Sequence, residues 1–353
     1  MQLQKDYKRV VIKIGSSLFC PKRETVNLGL FSVIVNQISA LVEDGREVVV
    51  VSSGAVALGM QQLNLSERPK ELSQLQSVSA IGQNELMNTY SRLFASKIRV
   101  AQILLTWEDL DERGRYLNAK NTILTLLKFK NVVPIINEND TVSTEEIKFG
   151  DNDQLSARVA SLICADLLII LSDVDGLLDK DKKVIRVIDE ITPQVEMLAC
   201  PTTKKTCVGG MITKIEAARI AMNSGIPCVI ANGHKEGIIF SVIKEPQRQG
   251  TLFIPKAGLA AKQRWIAFGT KAKGEIIVDD GAKRALINKK SLLSVGVVAT
   301  EGNFSAGDIV SVRDKKNCEF AKGKVGITSK ELDKVKGSRF HKEVIHRDNI
   351  VIL

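Results

Sequence analysis

Val132-Val133-Pro134-Ile135-Ile136 runs without a break into Asn137-Glu138-Asn139-Asp140. The apolar run reads as a strand buried on both faces, the kind found in parallel sheets. A buried strand that stops in Asn and Asp sets those groups at the carboxyl edge of a sheet, where open α/β folds bind their ligands. A second cluster, Gly150-Asp151-Asn152-Asp153, opens the helix-like segment that contains Leu155-Ser156-Ala157. Asn supplies both donors and acceptors, whereas ionised Asp supplies only acceptors. That mixture suits a small zwitterion carrying an ammonium and carboxylates. Any single Asn or Asp is also an ordinary turn residue. Two clusters, each tied to a strand end or helix start, point to a site.

Further strands are predicted at Arg9–Ile14, Glu47–Ser52, Arg99–Leu104, Leu167–Leu171 and Pro227–Ile230. Amphipathic segments lie between them: Leu28–Val42, Leu72–Phe94, Tyr116–Phe129, Gln154–Ile163 and Met211–Asn223. This alternation predicts an α/β fold, a mostly parallel sheet sandwiched by helices. Gly45 and Gly225 stand where helices should end. The pattern changes after Phe253. Short β-like runs follow at Gly274–Val278, Val295–Ala299, Asp308–Arg313, Ala321–Val325 and Asn349–Leu353. They predict a small C-terminal β-barrel with one or two helices. The expected organisation is a larger α/β domain over 1–255, a linker over 256–270 and a second module over 271–353.

With 353 residues, 44% hydrophobic and 25% charged, the chain has the composition of a soluble globular protein with about two domains. Its longest apolar runs are too short to cross a bilayer, and Met1 to Arg9 carries no signal-like apolar stretch. A cytoplasmic location without membrane contact is expected. The six cysteines show no C-x-x-C spacing, which favours reduced thiols over disulfides or a zinc site. The formal net charge is +10, and residues 262–353 hold 19 Lys and Arg against 11 Asp and Glu. A basic module is either a nucleic-acid footprint or a solvated surface.

Val11-Ile12-Lys13-Ile14-Gly15-Ser16-Ser17 carries a strand into a small-residue turn. Successive amides of such a turn can cradle phosphate oxygens with Lys13 beside them, although a β-turn with a solvated Lys has the same residues. Neither a Walker A motif nor G-x-G-x-x-G is present. Ser52-Ser53-Gly54-Ala55 repeats the theme, as a carboxylate holder or a plain N-cap. Ser172 and Asp173 follow the Leu167–Leu171 strand, where they could receive a nucleotide. Gly209-Gly210-Met211-Ile212-Thr213-Lys214 opens a helix with a Gly pair and places a Lys one turn inside.

Taken together, these segments resemble the amino-acid-kinase family, and within it the branch that acts on glutamate. The resemblance covers nearly the whole chain. It is carried by Val-Ile-Lys-Ile-Gly-Ser-Ser at 11–17, Ser-Ser-Gly-Ala at 52–55, Tyr-Leu-Asn-Ala at 116–119, Ile-Asn-Glu-Asn-Asp at 136–140, Gly-Asp-Asn-Asp at 150–153 and Gly-Gly-Met-Ile-Thr-Lys at 209–214. Val278-Asp279-Asp280-Gly281-Ala282 and the 302–308 segment resemble a PUA domain. One departure is Thr206-Cys207-Val208 before the late Gly pair, where the family usually has Gly-Thr.

The resemblance implies ATP-dependent phosphorylation of the L-glutamate side-chain carboxylate, the first step of proline biosynthesis, with Mg2+ as cofactor and no dedicated protein metal cage. By the same resemblance Lys13 and Lys214 neutralise the transferring group and Asp153 orients them. Ser53, Asp140 and Asn152 bind glutamate. Lys13, Ser172, Asp173, Gly209, Gly210, Met211 and Lys214 bind ATP. A homo-oligomer and feedback inhibition by proline are further expectations. No catalytic histidine is needed, because a carboxylate nucleophile is already ionised at neutral pH. The rival readings are an amino-acid kinase of different substrate, and a protein whose PUA-like module binds RNA. The second is unsupported by that module's few aromatics, Trp265, Phe268, Phe304, Phe320 and Phe340.

Overall fold

The computed structural model describes residues 7–19, 27–95, 97–143, 151–199, 210–255, 263, 266–267 and 272–352. They divide between two compact units, Met1–Gly258 and Leu259–Leu353.

The strands of the first unit are β1 (Arg9–Ile14), β2 (Glu47–Ser52), β3 (Arg99–Leu105), β4 (Val132–Glu138), β5 (Leu167–Ser172), β6 (Val187–Ile188), β7 (Cys228–Asn232) and β8 (Thr251–Phe253). Its described helices are α1 (Ser16–Phe19), α2 (Leu28–Glu43), α3 (Ala55–Gln62), α4 (Leu72–Leu93), α5 (Trp107–Asp111), α6 (Arg113–Leu126), α7 (Asp151–Ile163), α8 (Pro193–Ala199), α9 (Met211–Asn223) and α10 (Ile238–Lys244). The eight strands lie in the order β3-β4-β2-β1-β5-β7-β8-β6. From β3 to β7 every pairing is parallel; β8 then runs antiparallel to β7, and β6 parallel to β8.

β1 is buried from Val10 to Ile14. Because side chains alternate along a strand, Val10, Ile12 and Ile14 enter one apolar core, shared with Phe31, Ile34 and Ile38 of α2, Leu86 and Tyr90 of α4, and Ile239 and Val242 of α10. Val11 and Lys13 therefore face the opposite layer, where α7 packs on β1, β2, β4 and β5 and α9 packs on β7. Parity alone puts one lysine into a covered face of the central strand.

Two helices start earlier than their apolar periodicity suggests. The sixth begins at Arg113, where the carboxylate of Glu112 accepts from the Gly114 and Arg115 amides. The seventh begins at Asp151, so the polar residues 151–153 form its first turn. Helices α3 and α4 meet backbone to backbone. A Cβ on Gly59 would lie 1.9 Å from the Val78 carbonyl oxygen, and one on Gly82 would lie 1.8 Å from that of Ala55.

In the second unit, β9 (Gly274–Val278), β10 (Val297–Gly302), β11 (Ile309–Arg313), β12 (Glu319–Lys324) and β13 (Ile350–Ile352) form a mixed sheet ordered β10-β9-β11-β12-β13. With α11 (Asp280–Ile287) and α12 (Ser329–Val335) it encloses a separate core around Ile276, Val310, Val312, Leu332 and Val344. Most of the expected linker lies outside the described residues.

Gly82→Ala should destabilise the protein by about 1–3 kcal/mol, because an added methyl forces the two helices apart. Chemical denaturation measures it, and an unchanged midpoint would show that the crossing yields freely.

Candidate active site

The parallel strands β4, β2, β1, β5 and β7 end together; β4, β2, β5 and β7 end in polar residues, and β1 runs into Gly15 and Ser16. Ile14 pairs with Ser52 on one side and Leu171 on the other, and Ser172 pairs with Asn232. The carboxyl edge therefore collects Gly15, Ser52, Ser53, the Asn137–Asp140 segment, Ser172 and Asp173.

At its centre Lys13 meets Asp153. The Lys13 Nζ lies 2.7 Å from Asp153 Oδ1, and Lys214 Nζ lies 3.2 Å from Oδ2. Thr213 donates its hydroxyl to Oδ2 at 2.8 Å. The three charged residues are 4%, 7% and 0% exposed for Lys13, Lys214 and Asp153. Each comes from a different element: the end of β1, the first turn of α9, and the first turn of α7. Burial alone would raise the Asp153 pKa, but the two ammonium groups and the bonds from Lys13 and Thr213 hold it below the ordinary aspartate range. Burial lowers the Lys13 pKa, an effect that Asp153 opposes and Lys214 reinforces. Two cations share one anion, so one positive charge remains uncompensated within the trio. Lys214 also donates to the Gly210 carbonyl at 3.0 Å. Gly210 has φ of 98° and opens α9, a conformation that suits glycine.

On the β2–β4 side, Asn152 donates through Nδ2 to Ser53 Oγ at 3.1 Å and Asn137 Oδ1 at 2.9 Å. Asp140 is 8% exposed and accepts a short bond from the Ser79 hydroxyl of α4. Burial raises its pKa, against the lowering pull of that bond and of Arg68. On the β5 side, Asp173 accepts from Ser172 at 3.0 Å and Ser17 at 3.2 Å. Burial works to raise the Asp173 pKa, but these bonds and the charge of Lys214 carry it below the usual value.

The structure thus brings Lys13, Asp153 and Lys214 into direct contact, and Ser53 with Asn152. It sets Asp140 on the same edge and Ser172 with Asp173 across the central strand. Met211 is the first residue of α9. Gly209 and the Thr206-Cys207-Val208 departure lie outside the described residues. Thr213, Ser79, Asn137 and Ser17 were not singled out from sequence as individual site residues. Ser79 had a usable signal: it is a polar residue at a helical spacing where α4 otherwise buries Leu75, Val78, Leu86 and Tyr90.

Residues 8–232 match the amino acid kinase family, and residues 274–346 match the PUA domain. A glutamate 5-kinase of Thermoanaerobacter sp. (strain X514) is 44% identical over 365 residues, covering 98% of both chains. The chain belongs to the glutamate 5-kinase family. A second member, from Caldanaerobacter subterraneus subsp. tengcongensis, is 45% identical with 98% of both chains covered. A third, from Pelagibacter ubique, is 43% identical over 98% of this chain and 99% of its own. Among solved structures, a UMP kinase from Bacillus anthracis aligns with 72% of this chain at 15% identity and a TM-score of 0.45.

Asp153→Asn should cost about 3–5 kcal/mol at neutral pH, since it strands two buried ammonium groups. A depressed native pKa means the wild type holds this contribution above the ordinary aspartate pKa and loses it as pH falls through the native value. The variant should lack that acid limb. Urea denaturation of both proteins from neutral pH to about pH 3 checks this, and equal stability throughout would remove Asp153 as the keystone of the pair.

Proposed function

We propose that this chain transfers the γ-phosphoryl group of ATP to the side-chain carboxylate of L-glutamate, at the edge formed by β1, β2, β4 and β5. The product is γ-glutamyl phosphate, and the reaction is the first step of proline biosynthesis. The observation that carries the residue assignment is the buried pair of lysines on one aspartate.

A glutamate oxygen attacks the γ-phosphorus, and the bond to the β–γ bridging oxygen breaks. ADP leaves with the electron pair. No proton moves, so the site needs charge stabilisation and alignment rather than a general base. Lys13 and Lys214 stabilise the equatorial oxygens and the leaving oxygen, and Asp153 fixes both ammonium groups in a dry setting where charge acts strongly. Asp140 and the Asn152 oxygen receive the substrate ammonium, and Ser53 holds a carboxylate. Ser172, Asp173 and the opening of α9 at Gly210 and Met211, with Gly209 before it, receive the nucleotide.

Mg2+ suits this donor set. Among the described residues no group of three His, Cys, Asp or Glu could cage a metal ion. Mg2+ at nucleotide sites keeps waters and takes one or two carboxylates beside the phosphates, a part that Asp173 fits. When bound it would neutralise phosphate charge. We assign catalysis to residues 1–255 and treat 271–353 as an adjunct joined by the 256–270 linker. A homo-oligomer, proline feedback and a cytoplasmic location belong to the same proposal.

Lys13→Met and Lys214→Met should each lower kcat at least ~100-fold, the scale of a lost transition-state donor. Release of ADP in the presence of glutamate reports it, with aspartate and acetylglutamate as competing acceptors. Near wild-type turnover would exclude the altered lysine from the mechanism.

Asp140→Ala should raise KM for glutamate far more than KM for ATP. Because the native pKa is raised, Asp140 takes up its proton at a higher pH than an ordinary aspartate. The wild-type KM for glutamate should therefore begin to climb on acidification at a higher pH than an ordinary aspartate would give, and the variant should lose that rise. Parallel increases in both KM values would mean that Asp140 does not serve glutamate.

A further inference from the structure

Three amides form a chain from α4 to α7. Asn137 donates through Nδ2 to Gln83 Oε1 at 2.8 Å, and Asn152 donates through Nδ2 to Asn137 Oδ1 at 2.9 Å. The direction of the chain is set by the backbone, which cannot be reversed. The Glu138 amide donates to Asn137 Oδ1 at 2.9 Å, and Asn152 Nδ2 also reaches the Ser52 carbonyl at 3.4 Å. Each carboxamide is planar, with its oxygen opposite its nitrogen. With every Nδ2 committed in one direction, the far end of the chain is an oxygen.

That oxygen, Asn152 Oδ1, is buried and has no hydrogen-bond partner. At the other end Gln83 Nε2 is also buried and unpartnered, in a residue only 8% exposed. An unsatisfied buried donor on an interior helix face is unfavourable compared with an apolar side chain of the same shape. Packing therefore gives no reason for a glutamine here. Its one bond, the acceptance from Asn137, does.

We propose that Gln83 is a positioning residue for the substrate amino acid: through Asn137 it holds Asn152 with its oxygen toward the substrate ammonium. The proposal rests on the glutamate reading given above. Without the Gln83 oxygen, the Asn137 nitrogen loses its acceptor, and the Glu138 amide alone holds that carboxamide. The Asn137 oxygen is then less tightly fixed, and with it the Asn152 amide that it orients.

The test is Gln83→Met, which keeps bulk and removes the amide, with Gln83→Leu as a second variant should the first fail to fold. KM for glutamate should rise about tenfold, the effect of one misdirected hydrogen-bonding group, while KM for ATP stays within about twofold. Thermal stability should change little, because the variant removes one unpartnered donor, Gln83 Nε2, and leaves another, Asn137 Nδ2. Binding of glutarate, which lacks the ammonium, should be equal in wild type and variant. Combined with Asn152→Ala, the change should add almost nothing, because both act through one contact. An unchanged KM for glutamate, a matching rise in KM for ATP, an equal loss for glutarate, or an additive double variant would each overturn the proposal. Wild-type protein that forms no ADP with glutamate would overturn both this inference and the reading beneath it.

Discussion

Lys13, Asp153 and Lys214 are the constraint around which the first unit is organised. Burying one ammonium is unfavourable, and burying two side by side is worse unless a carboxylate bridges them. The bridge demands that β1, α7 and α9 arrive at one point with tight tolerance. The parallel sheet supplies this, because β1 lies between β2 and β5 and α7 crosses above it. The trio carries one more cation than anion, and Asp173 beside it is the further carboxylate that feels both lysines. On the reading proposed above, stability and phosphate affinity would draw on the same three side chains.

Three carboxylates on this one edge differ in character because their neighbours differ. Asp153 and Asp173 are held low by ammonium groups and hydroxyl donors, whereas burial pushes Asp140 up with only Ser79 and Arg68 opposing it. Lys13 and Lys214 thus lie beside Asp153 and Asp173, while Asp140 lies apart with a raised pKa. On the proposed function, that difference would help to direct an ammonium-bearing acceptor and an anionic donor to different parts of the edge.

Much of this was legible in the sequence. The expected strands at Arg9–Ile14 and Glu47–Ser52 coincide with β1 and β2, and that at Gly274–Val278 with β9, since continuous or alternating β-branched runs bounded by turns leave little choice. β6 and β8 were not foreseen. They span two and three residues at the sheet edge, too short for any periodicity to register. The apolar periodicity of α7 begins at Gln154, so its polar first turn, which holds Asn152 and Asp153, was outside the expected helix. The lysines and the Asn-Asp clusters were readable because their local motifs are dense. Ser79 and Gln83 were not singled out: their signal was only that of polar residues among the apolar ones on the buried face of α4, and tertiary packing is what joins them to the site.

On the ribosome, β1 is complete long before its second neighbour exists. Its partner β5 ends at Ser172, 158 residues after Ile14. At ordinary elongation rates that interval is roughly 8–30 s. Through it, one long edge of Val-Val-Ile-Lys-Ile stays unpaired in a crowded setting, the sort of edge that recruits foreign strands. Asp153 has not yet been made for most of this time, so Lys13 sits there as a bare, solvated charge in the middle of the sticky segment. An interior charge is the standard deterrent to such mispairing. By that argument the same ammonium would discourage mispairing of the nascent strand, and an apolar replacement would be expected to lower the yield of soluble chain.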